Sequence, residues 1–282
     1  MTQPEATAPA AKSRWADLVP RLGSAAVIVA VIATALYFGG WVYAALMVVI
    51  FGLLYREWEQ MVTLQPLRPF GMVLIALLGL AALAFPAFGV AGTAAVMAVA
   101  VIVSVFGGAA LAPWRIGGLV FFGLVLVAVL TMRGPTGLGI VAGWYLGLVI
   151  AFNDSGAFFT GRVIGGPKLA PKISPAKTWS GAIGGLVIGT VIGVAYWLTF
   201  VHSPWWIGLI FSVILGLVGQ AGDLTESAIK RIFRVKDSGD IIPGHGGFMD
   251  RLDSVSFGAL FVFVIGLVHG GMSDVAAGFL NW

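Results

Sequence analysis

Long runs of apolar residues, interrupted by short polar segments, make up most of this chain. A helix needs about 20 apolar residues to cross roughly 30 Å of hydrocarbon, whereas strands of a membrane barrel alternate in hydrophobicity over about ten residues. The runs here are long and do not alternate, so they predict an all-α polytopic membrane protein with about nine transmembrane helices. The second, third and fifth runs are short, which leaves a re-entrant pair as an alternative. The runs lie near 22–39, 41–55, 70–85, 89–107, 116–131, 137–153, 179–201, 205–222 and 254–270.

Composition supports this fold class and excludes others. Of the 282 residues, 59% are hydrophobic and 10% are charged, whereas a soluble domain is about half apolar and about a quarter charged. Too few charges are present to cover a surface that faces water, and the same numbers exclude intrinsic disorder. The chain has no cysteine, so disulfides and thiolate metal ligands are also excluded.

The N-terminal residues differ from the rest of the chain. Residues 1–20 begin as a tail rich in proline and alanine, which we expect to be disordered or interfacial. A cleavable signal peptide within residues 1–40 is the alternative. The eight further apolar runs favour an uncleaved first helix.

Charged residues divide the remaining chain into two regions. Residues 21–150 are expected to form an N-terminal transmembrane scaffold, since few charges occur there. Residues 151–282 are expected to form a C-terminal transmembrane catalytic region, because the segments 154–178 and 223–253 hold more than half of all charged residues. In a chain with so few charges, these two polar segments are where chemistry is expected.

The basic residues predict the orientation in the membrane. With nine spans and a cytoplasmic N-terminus, all of the 16 Lys and Arg residues except Arg133 fall in cytoplasmic segments. Such an excess is the usual mark of the cytoplasmic side. Both polar segments are therefore predicted to be cytoplasmic active-site loops, and the C-terminus is predicted to lie on the opposite side.

The second polar segment begins as a continuation of an apolar run. Asp223, Glu226, Ser227 and Lys230 follow each other at helical spacing, so they share one face. Glycine and proline then interrupt the helix before Asp250, Arg251 and Asp253 open the last run. Backbone N–H groups of a glycine loop that leads into a helix form a favourable phosphate site.

Carboxylates at the ends of membrane spans indicate a cation site. They are costly there unless they are paired or bind a ligand, and Mg²⁺ prefers oxygen ligands that substrate phosphates can complete. Asp223 and Asp250 are the candidates for such a site. The alternative is a solvated loop with incidental ion pairs. His245 lies between glycines, where a metal or phosphate role competes with that of an ordinary loop histidine.

The first polar segment carries amide, hydroxyl and basic groups. Asn153 and Asp154 are expected to end a span, and residues 161–166 are loop-like. Ser174, Lys177 and Thr178 precede the next run, where they are suited to a nucleotide triphosphate or a lipid phosphate. A positively charged membrane anchor is the alternative. Neither a GxxxxGK[ST] phosphate loop nor a GxSxG nucleophile motif occurs.

The stretch Ser227–Asp253, SAIKRIFRVKDSGDIIPGHGGFMDRLD, resembles the signature of phosphatidate cytidylyltransferases over all 27 positions. The Ser-Pro-x-Lys-Thr at 174–178 and the Asn-Asp at 153–154 are also similar to that family. The resemblance implies transfer of CMP from CTP to phosphatidate, which gives CDP-diacylglycerol and pyrophosphate. It further implies dependence on Mg²⁺, with a second cation at a paired site, and a bacterial inner membrane as the location.

The resemblance also assigns roles to residues. Asp223 and Asp250 are the implied metal ligands. The implied catalytic residues are Asp223, Lys230, Arg231, Asp250, Arg251 and Asp253. The implied substrate-binding residues are Asn153, Asp154, Ser174, Lys177, Thr178, Ser227, Lys236, Asp237, His245, Gly246 and Gly247. The expected partners are CTP, phosphatidate and membrane lipid, with a homodimer left open and no nucleic acid.

Two other classes of protein remain as alternatives. A CDP-alcohol phosphotransferase would need a compact D-G-x-x-A-R motif followed by spaced aspartates, and no such run occurs. A transporter would place ionisable residues at mid-membrane on broken helices, whereas here they are expected at span ends on one side.

Overall fold

The structure is a computed structural model that describes residues 18–239 and 247–282, with side chains described from residue 27 onward. Helices dominate it, accompanied by an antiparallel pair of short strands, β1 and β2, and a 3₁₀ turn at Met249–Arg251. The strands are β1 (Lys168–Ala170) and β2 (Ser174–Thr178). The helices are α1 (Leu18–Phe38), α2 (Gly40–Thr63), α3 (Pro69–Val105), α4 (Ala112–Arg133), α5 (Leu138–Ile164), α6 (Trp179–Phe200), α7 (Trp205–Ile232), α8 (Asp253–Gly270) and α9 (Val275–Leu280).

The prediction of an all-α polytopic membrane protein is confirmed. Within the described residues, seven helices, α2 to α8, are long and apolar enough to cross a membrane. Helix α1 has 21 residues, but its side chains are described only over Val27–Phe38, so it is not counted among the seven. The predicted count of about nine is therefore not confirmed.

Helix α3 contains two of the predicted spans. Its chain direction reverses at Gly89, whose φ of 60° favours glycine. The Thr93 hydroxyl donates to the Ala81 carbonyl at 3.0 Å, although 12 residues of straight helix would separate them by about 18 Å. At the far ends of the two halves, Gly107 lies against the Phe70 ring. The halves are thus antiparallel and correspond to the runs predicted at 70–85 and 89–107.

Two helices extend beyond the apolar runs that predicted their spans. Helix α5 continues to Ile164, so Asn153 and Asp154 lie inside this helix rather than at its end, and α7 continues to Ile232, as the helical spacing from Asp223 to Lys230 predicted. The prediction of a loop at 161–166 is also wrong for its first four residues. With 27 and 28 residues, both helices exceed the roughly 20 residues that a bilayer requires.

Glycines at a helix contact explain why α5 remains helical past Asp154. Gly156 and Gly161 of α5 face Gly185 and Gly181 of α6, and a Cβ on Gly185 would clash with the Asn153 carbonyl. Small residues let two helix backbones approach closely. Packing against α6 therefore supports helical structure in a segment whose polar residues indicated a loop.

The two polar segments lie at the same end of the helix bundle. The Arg231 guanidinium donates to the Ile173 carbonyl at 3.2 Å, which joins α7 to the β1–β2 hairpin. We call this the polar end; it comprises the hairpin, the described residues between α7 and α8, and the adjoining helix ends. The C-terminus lies at the other end, where the Trp282 N–H donates to the Ser203 hydroxyl at 2.8 Å.

Arg133, the one basic residue predicted for the opposite side, has a structural explanation. Its side chain is buried, and it donates to the carbonyls of Leu36, Tyr37 and Gly134, the last two at 3.1 and 2.8 Å. These carbonyls include the end of α1, where the helix leaves acceptors unpaired. Arg133 therefore caps a helix end inside the protein.

Candidate active site

One face of α7 supplies a row of polar side chains at the polar end, as its helical spacing predicted. The Ser227 hydroxyl donates to Asp223 Oδ1 at 3.5 Å, and Lys230 Nζ donates to Glu226 Oε2 at 3.3 Å. Glu226, Ser227 and Lys230 are each buried, with 8% of their surface exposed. An interior position with paired charges is expected of groups that have a specific role rather than of a solvated loop.

Asp250 lies opposite this row, in the 3₁₀ turn just before α8. Its Oδ1 accepts a hydrogen bond from Lys230 Nζ at 2.5 Å. Its Oδ2 accepts from the backbone N–H groups of Gly247 at 2.9 Å and Ser238 at 3.3 Å. Burial raises the pKa of Asp250, but the Lys230 ammonium and the Gly247 N–H outweigh it and hold that pKa below its usual range.

Asp223 is paired with a basic residue from the other polar segment. Strand β2 carries Lys177 to α7, where its Nζ forms an ion pair with Asp223 Oδ2. The next residue, Thr178, caps α6 because its hydroxyl accepts from the Gly181 N–H at 3.1 Å. Ser174 begins the same strand. The hairpin therefore positions Lys177 beside the carboxylates of α7, so the two polar segments contact each other.

Further carboxylates surround Asp223. Asp253, the first residue of α8, interacts electrostatically with both Asp223 and Glu226, and Asp154 of α5 interacts with Asp253 and Asp223. Asp253 Oδ1 also accepts from the N–H of Ser254 at 2.6 Å. Among the described residues, the ion pairs of this group involve two lysines, Lys177 and Lys230, so the carboxylates outnumber them. Neighbouring carboxylates repel one another when ionised, and a bound cation would relieve that repulsion.

The fit to a metal ion is incomplete in the protein alone. Within residues 18–239 and 247–282, no three acidic or histidine side chains converge as a metal site. Asp223 and Asp250 each hold a lysine ammonium instead. Glu226 Oε1 is nevertheless buried, accepts no hydrogen bond from a nitrogen donor of the described residues, and lies beside the carboxyl groups of Asp253 and Asp250. Carboxylate oxygens are the ligands that Mg²⁺ prefers, and substrate phosphates commonly complete its shell.

The remaining predicted residues fall into three groups. Asn153 is fully buried, accepts from Gln220 Nε2 at 3.0 Å and donates to Asp154 Oδ1 at 3.3 Å, so it links α5 to α7. Arg231 is exposed and donates to the carbonyls of Ile173 and Val235. Lys236, Asp237 and Arg251 are exposed as well. His245 and Gly246 lie outside the described residues.

Two acidic residues of this site were absent from the sequence-based assignment. Glu226 was recognised only as part of the α7 face. Glu57 of α2 was not considered, although it is fully buried and accepts hydrogen bonds from the Ser238 hydroxyl and two backbone N–H groups. The cost of an unpartnered carboxylate near an apolar span, which singled out Asp223, applied equally to Glu57.

The fold and the site together define a polytopic membrane protein with a carboxylate and lysine site at one end of its helix bundle. Comparison with known sequences specifies the family. The sequence model of the cytidylyltransferase family matches residues 19–269, so the chain belongs to that family.

Several relatives carry the name of one enzyme of this family. The phosphatidate cytidylyltransferase of Brucella abortus biovar 1 (strain 9-941) is 37% identical over 170 residues, which cover 60% of this chain and 63% of the relative. That of Bacillus subtilis (strain 168) is 40% identical over 147 residues, or 52% of this chain and 55% of the relative. That of Staphylococcus haemolyticus (strain JCSC1435) is 46% identical over 127 residues, covering 44% and 46%. The matched stretches thus span between 46% and 63% of these relatives.

Proposed function

We propose that this protein is a phosphatidate cytidylyltransferase, which transfers the CMP moiety of CTP to phosphatidate and yields CDP-diacylglycerol and pyrophosphate. The observation that carries this proposal is the Lys230–Asp250 pair, which joins α7 to the turn before α8 inside the stretch that resembles the family signature. Names of the relatives and membership of the cytidylyltransferase family support the same reaction.

The reaction needs little acid or base catalysis from the protein. A phosphate oxygen of phosphatidate forms a bond to the α-phosphorus of CTP, and the bond to the pyrophosphate oxygen breaks. Because the attacking phosphate is already anionic, no strong general base is needed. Catalysis then depends on positioning and on neutralising the charge of the phosphates.

Lysines of the site are placed to hold those phosphates. An ammonium has three N–H donors, and the contacts of Lys230 with Glu226 and Asp250 account for two of them. Lys177 reaches the same region through Asp223. Each lysine can therefore donate to a phosphate oxygen without leaving the carboxylate that orients it. We assign Arg231 and Arg251 to the same task from their positions beside this row.

Asp223 and Asp250 are the residues that would hold Mg²⁺, with Glu226 and Asp253 beside them. Bound there, Mg²⁺ would supply charge neutralisation and orientation of phosphate oxygens. The paired lysines hold the carboxylates of Asp223 and Asp250 in a fixed direction. The second cation of a paired site belongs to this same proposal.

The location of the site suits both substrates. Helices α5 and α7 are longer than a bilayer requires, so their polar ends place Asp154 and Asp223 near the membrane surface. CTP would arrive from water and phosphatidate from the adjoining leaflet. We place this end in the cytoplasm of a bacterium, on the inner membrane, because the basic residues concentrate there. Residues 151–282 would then be the catalytic region.

A direct assay tests the proposal. Purified protein should release pyrophosphate from CTP and form CDP-diacylglycerol only when phosphatidate is present. Diacylglycerol, which lacks the phosphate nucleophile, is the matched control. Release of CMP from CDP-diacylglycerol with an alcohol would indicate a CDP-alcohol phosphotransferase instead. Absence of all nucleotide chemistry in folded protein would overturn the enzymatic assignment and favour a transporter.

A further inference from the structure

Glu57 lies far from the signature stretch in the sequence and beside it in the fold. It belongs to α2, a helix of the predicted scaffold, and its side chain is fully buried. Three hydrogen bonds reach its carboxyl group, and all three come from residues 181 to 192 positions further along the chain.

The three donors flank both sides of residues 240–246. Before that segment, the Ser238 hydroxyl donates to Glu57 Oε2 at 2.9 Å. After it, the Phe248 N–H donates to Oε1 at 2.8 Å and the Met249 N–H donates to Oε2 at 2.7 Å. Glu57 therefore holds the chain at two points, one on each side, with distances typical of good hydrogen bonds.

The same two points supply the backbone donors of Asp250. Ser238, whose hydroxyl donates to Glu57, and Gly247, which precedes Phe248, both donate their backbone N–H groups to Asp250 Oδ2. A Cβ on Gly239 or Gly247 would come within 2.7 and 2.8 Å of the Glu57 carboxyl oxygens. Close approach to Glu57, and at Gly247 also to the Ser238 hydroxyl, thus favours glycine at both positions.

We propose that Glu57 is a positioning residue for the reaction: it fixes the two backbone N–H groups that orient Asp250. The part that concerns catalysis rests on the proposed function. The Asp250 carboxylate must keep one orientation to accept from Lys230 beside the phosphates. Glu57 links α2 to Ser238, Phe248 and Met249, next to the backbone N–H groups that set this orientation. Outer residues that orient a ligand commonly matter about 10- to 100-fold for activity or affinity.

A neighbouring residue on the same helix provides a matched control. Glu59 is also buried, at 2% exposure, but its carboxyl group pairs with Arg115 of α4 at 2.5 Å rather than with Ser238, Phe248 or Met249. Glu59→Gln should therefore weaken scaffold packing and lower the melting temperature. It should leave hydrogen exchange at residues 247–249 and kcat per folded molecule unchanged.

Glu57→Gln is the principal test. The amide keeps the shape of the side chain but replaces one acceptor oxygen by an NH₂ donor, which opposes the N–H groups that now point at it. We expect faster hydrogen exchange at the amides of residues 247–249 and a fall in kcat of about 10- to 100-fold, with little change in KM for CTP. Exchange in α3 and α4 should remain as in the unmodified protein.

Ser238→Ala provides the second variant, in case Glu57→Gln does not fold. It removes one of the three bonds and retains the Ser238 N–H that donates to Asp250, so a smaller change in the same direction is expected. Because both substitutions act on one contact, the effect of the double variant should be less than the sum of the single effects. Unchanged exchange at 247–249, or wild-type kcat in a folded Glu57→Gln protein, would overturn the proposal.

The exchange measurement needs no substrate, so it is independent of the proposed reaction. If the unmodified protein failed to form CDP-diacylglycerol, the proposed function would fail. Hydrogen exchange at residues 247–249 would still decide whether Glu57 fixes the position of these residues.

Discussion

Lys230 and Asp250 are 20 residues apart in the chain, and Lys230 Nζ lies 2.5 Å from Asp250 Oδ1. Lys230 occupies the last turn of α7, and Asp250 occupies the turn before α8, so their contact closes the polar end of two adjacent helices. Lys230 also bonds to Glu226. The pair therefore sets the spacing between the carboxylates of α7 and the carboxylate of the turn.

The first prediction concerns the proposed metal ligands. Asp223→Asn and Asp250→Asn should each lower kcat/KM by more than about tenfold, which corresponds to about 1.4 kcal/mol of transition-state stabilisation. Each change removes an anionic oxygen donor from the site and leaves a lysine without its carboxylate. The measurement is pyrophosphate release per folded molecule, over a range of Mg²⁺ concentrations.

Asp274→Asn is the control for these variants. Asp274 lies at the other end of the bundle, where it caps α9 and accepts from the Thr136 hydroxyl. It should retain wild-type kinetics and lose only stability. A folded Asp223→Asn or Asp250→Asn protein that kept more than about a tenth of the activity would remove that residue from the ligand assignment.

The second prediction separates a phosphate role from membrane anchoring for the lysines of the hairpin. Lys177 contacts Asp223, whereas Lys172 is exposed between β1 and β2. Lys177→Met should therefore reduce kcat/KM by about tenfold or more, since it removes a charged donor to phosphate. Lys172→Met should leave the kinetics of inserted protein unchanged. Equal effects of the two substitutions would favour the anchor interpretation.

The third prediction is topological. The chain has no cysteine, so single cysteines at Ser174, Lys236 and Met272 can be labelled without background. The first two lie at the polar end and should react with an impermeant reagent from the cytoplasmic side. Met272, which is exposed beyond α8 at the other end, should react from the opposite side. Labelling of Ser174→Cys and Lys236→Cys from different sides would contradict the shared site.

The sequence predicted the helices well where lack of charge alone defines them. It correctly extended α7 through Asp223 and Lys230 from their helical spacing, but it ended α5 early at Asn153 and Asp154. The continuation of α5 packs on a distant segment, where Gly156 contacts Gly185 of α6. A local pattern contains no information on such contacts.

The residues of the site also divide into those that the sequence could assign and those that it could not. Asp223, Lys230 and Asp250 could be grouped from helical spacing and from the resemblance, because they lie within one stretch of sequence. Glu57 could not be assigned to that group, since its partners are a serine and two backbone N–H groups at least 181 residues away. Every residue except proline has a backbone N–H, so the sequence does not indicate which of these groups donates to a carboxylate.

The last prediction concerns Arg251, which follows Asp250 in the 3₁₀ turn and is exposed. Arg251→Gln removes a fixed positive charge and planar donors that can pair with phosphate oxygens. Negative charge on the leaving pyrophosphate grows during transfer, so the loss should fall mainly on kcat rather than on KM alone. We expect a reduction of about tenfold or more, measured with CTP varied at saturating phosphatidate.

Arg68→Gln is the matched control for this substitution. Arg68 is also an exposed arginine at the polar end, but it precedes α3 on the scaffold side. Its removal should lower at most the amount of inserted protein, because a basic residue there contributes to orientation in the membrane. Kinetics normalised to folded protein distinguish the two roles. If Arg251→Gln and Arg68→Gln changed kcat equally, basic residues at this end would act as general membrane anchors, and the assignment of Arg251 to the phosphates would be wrong.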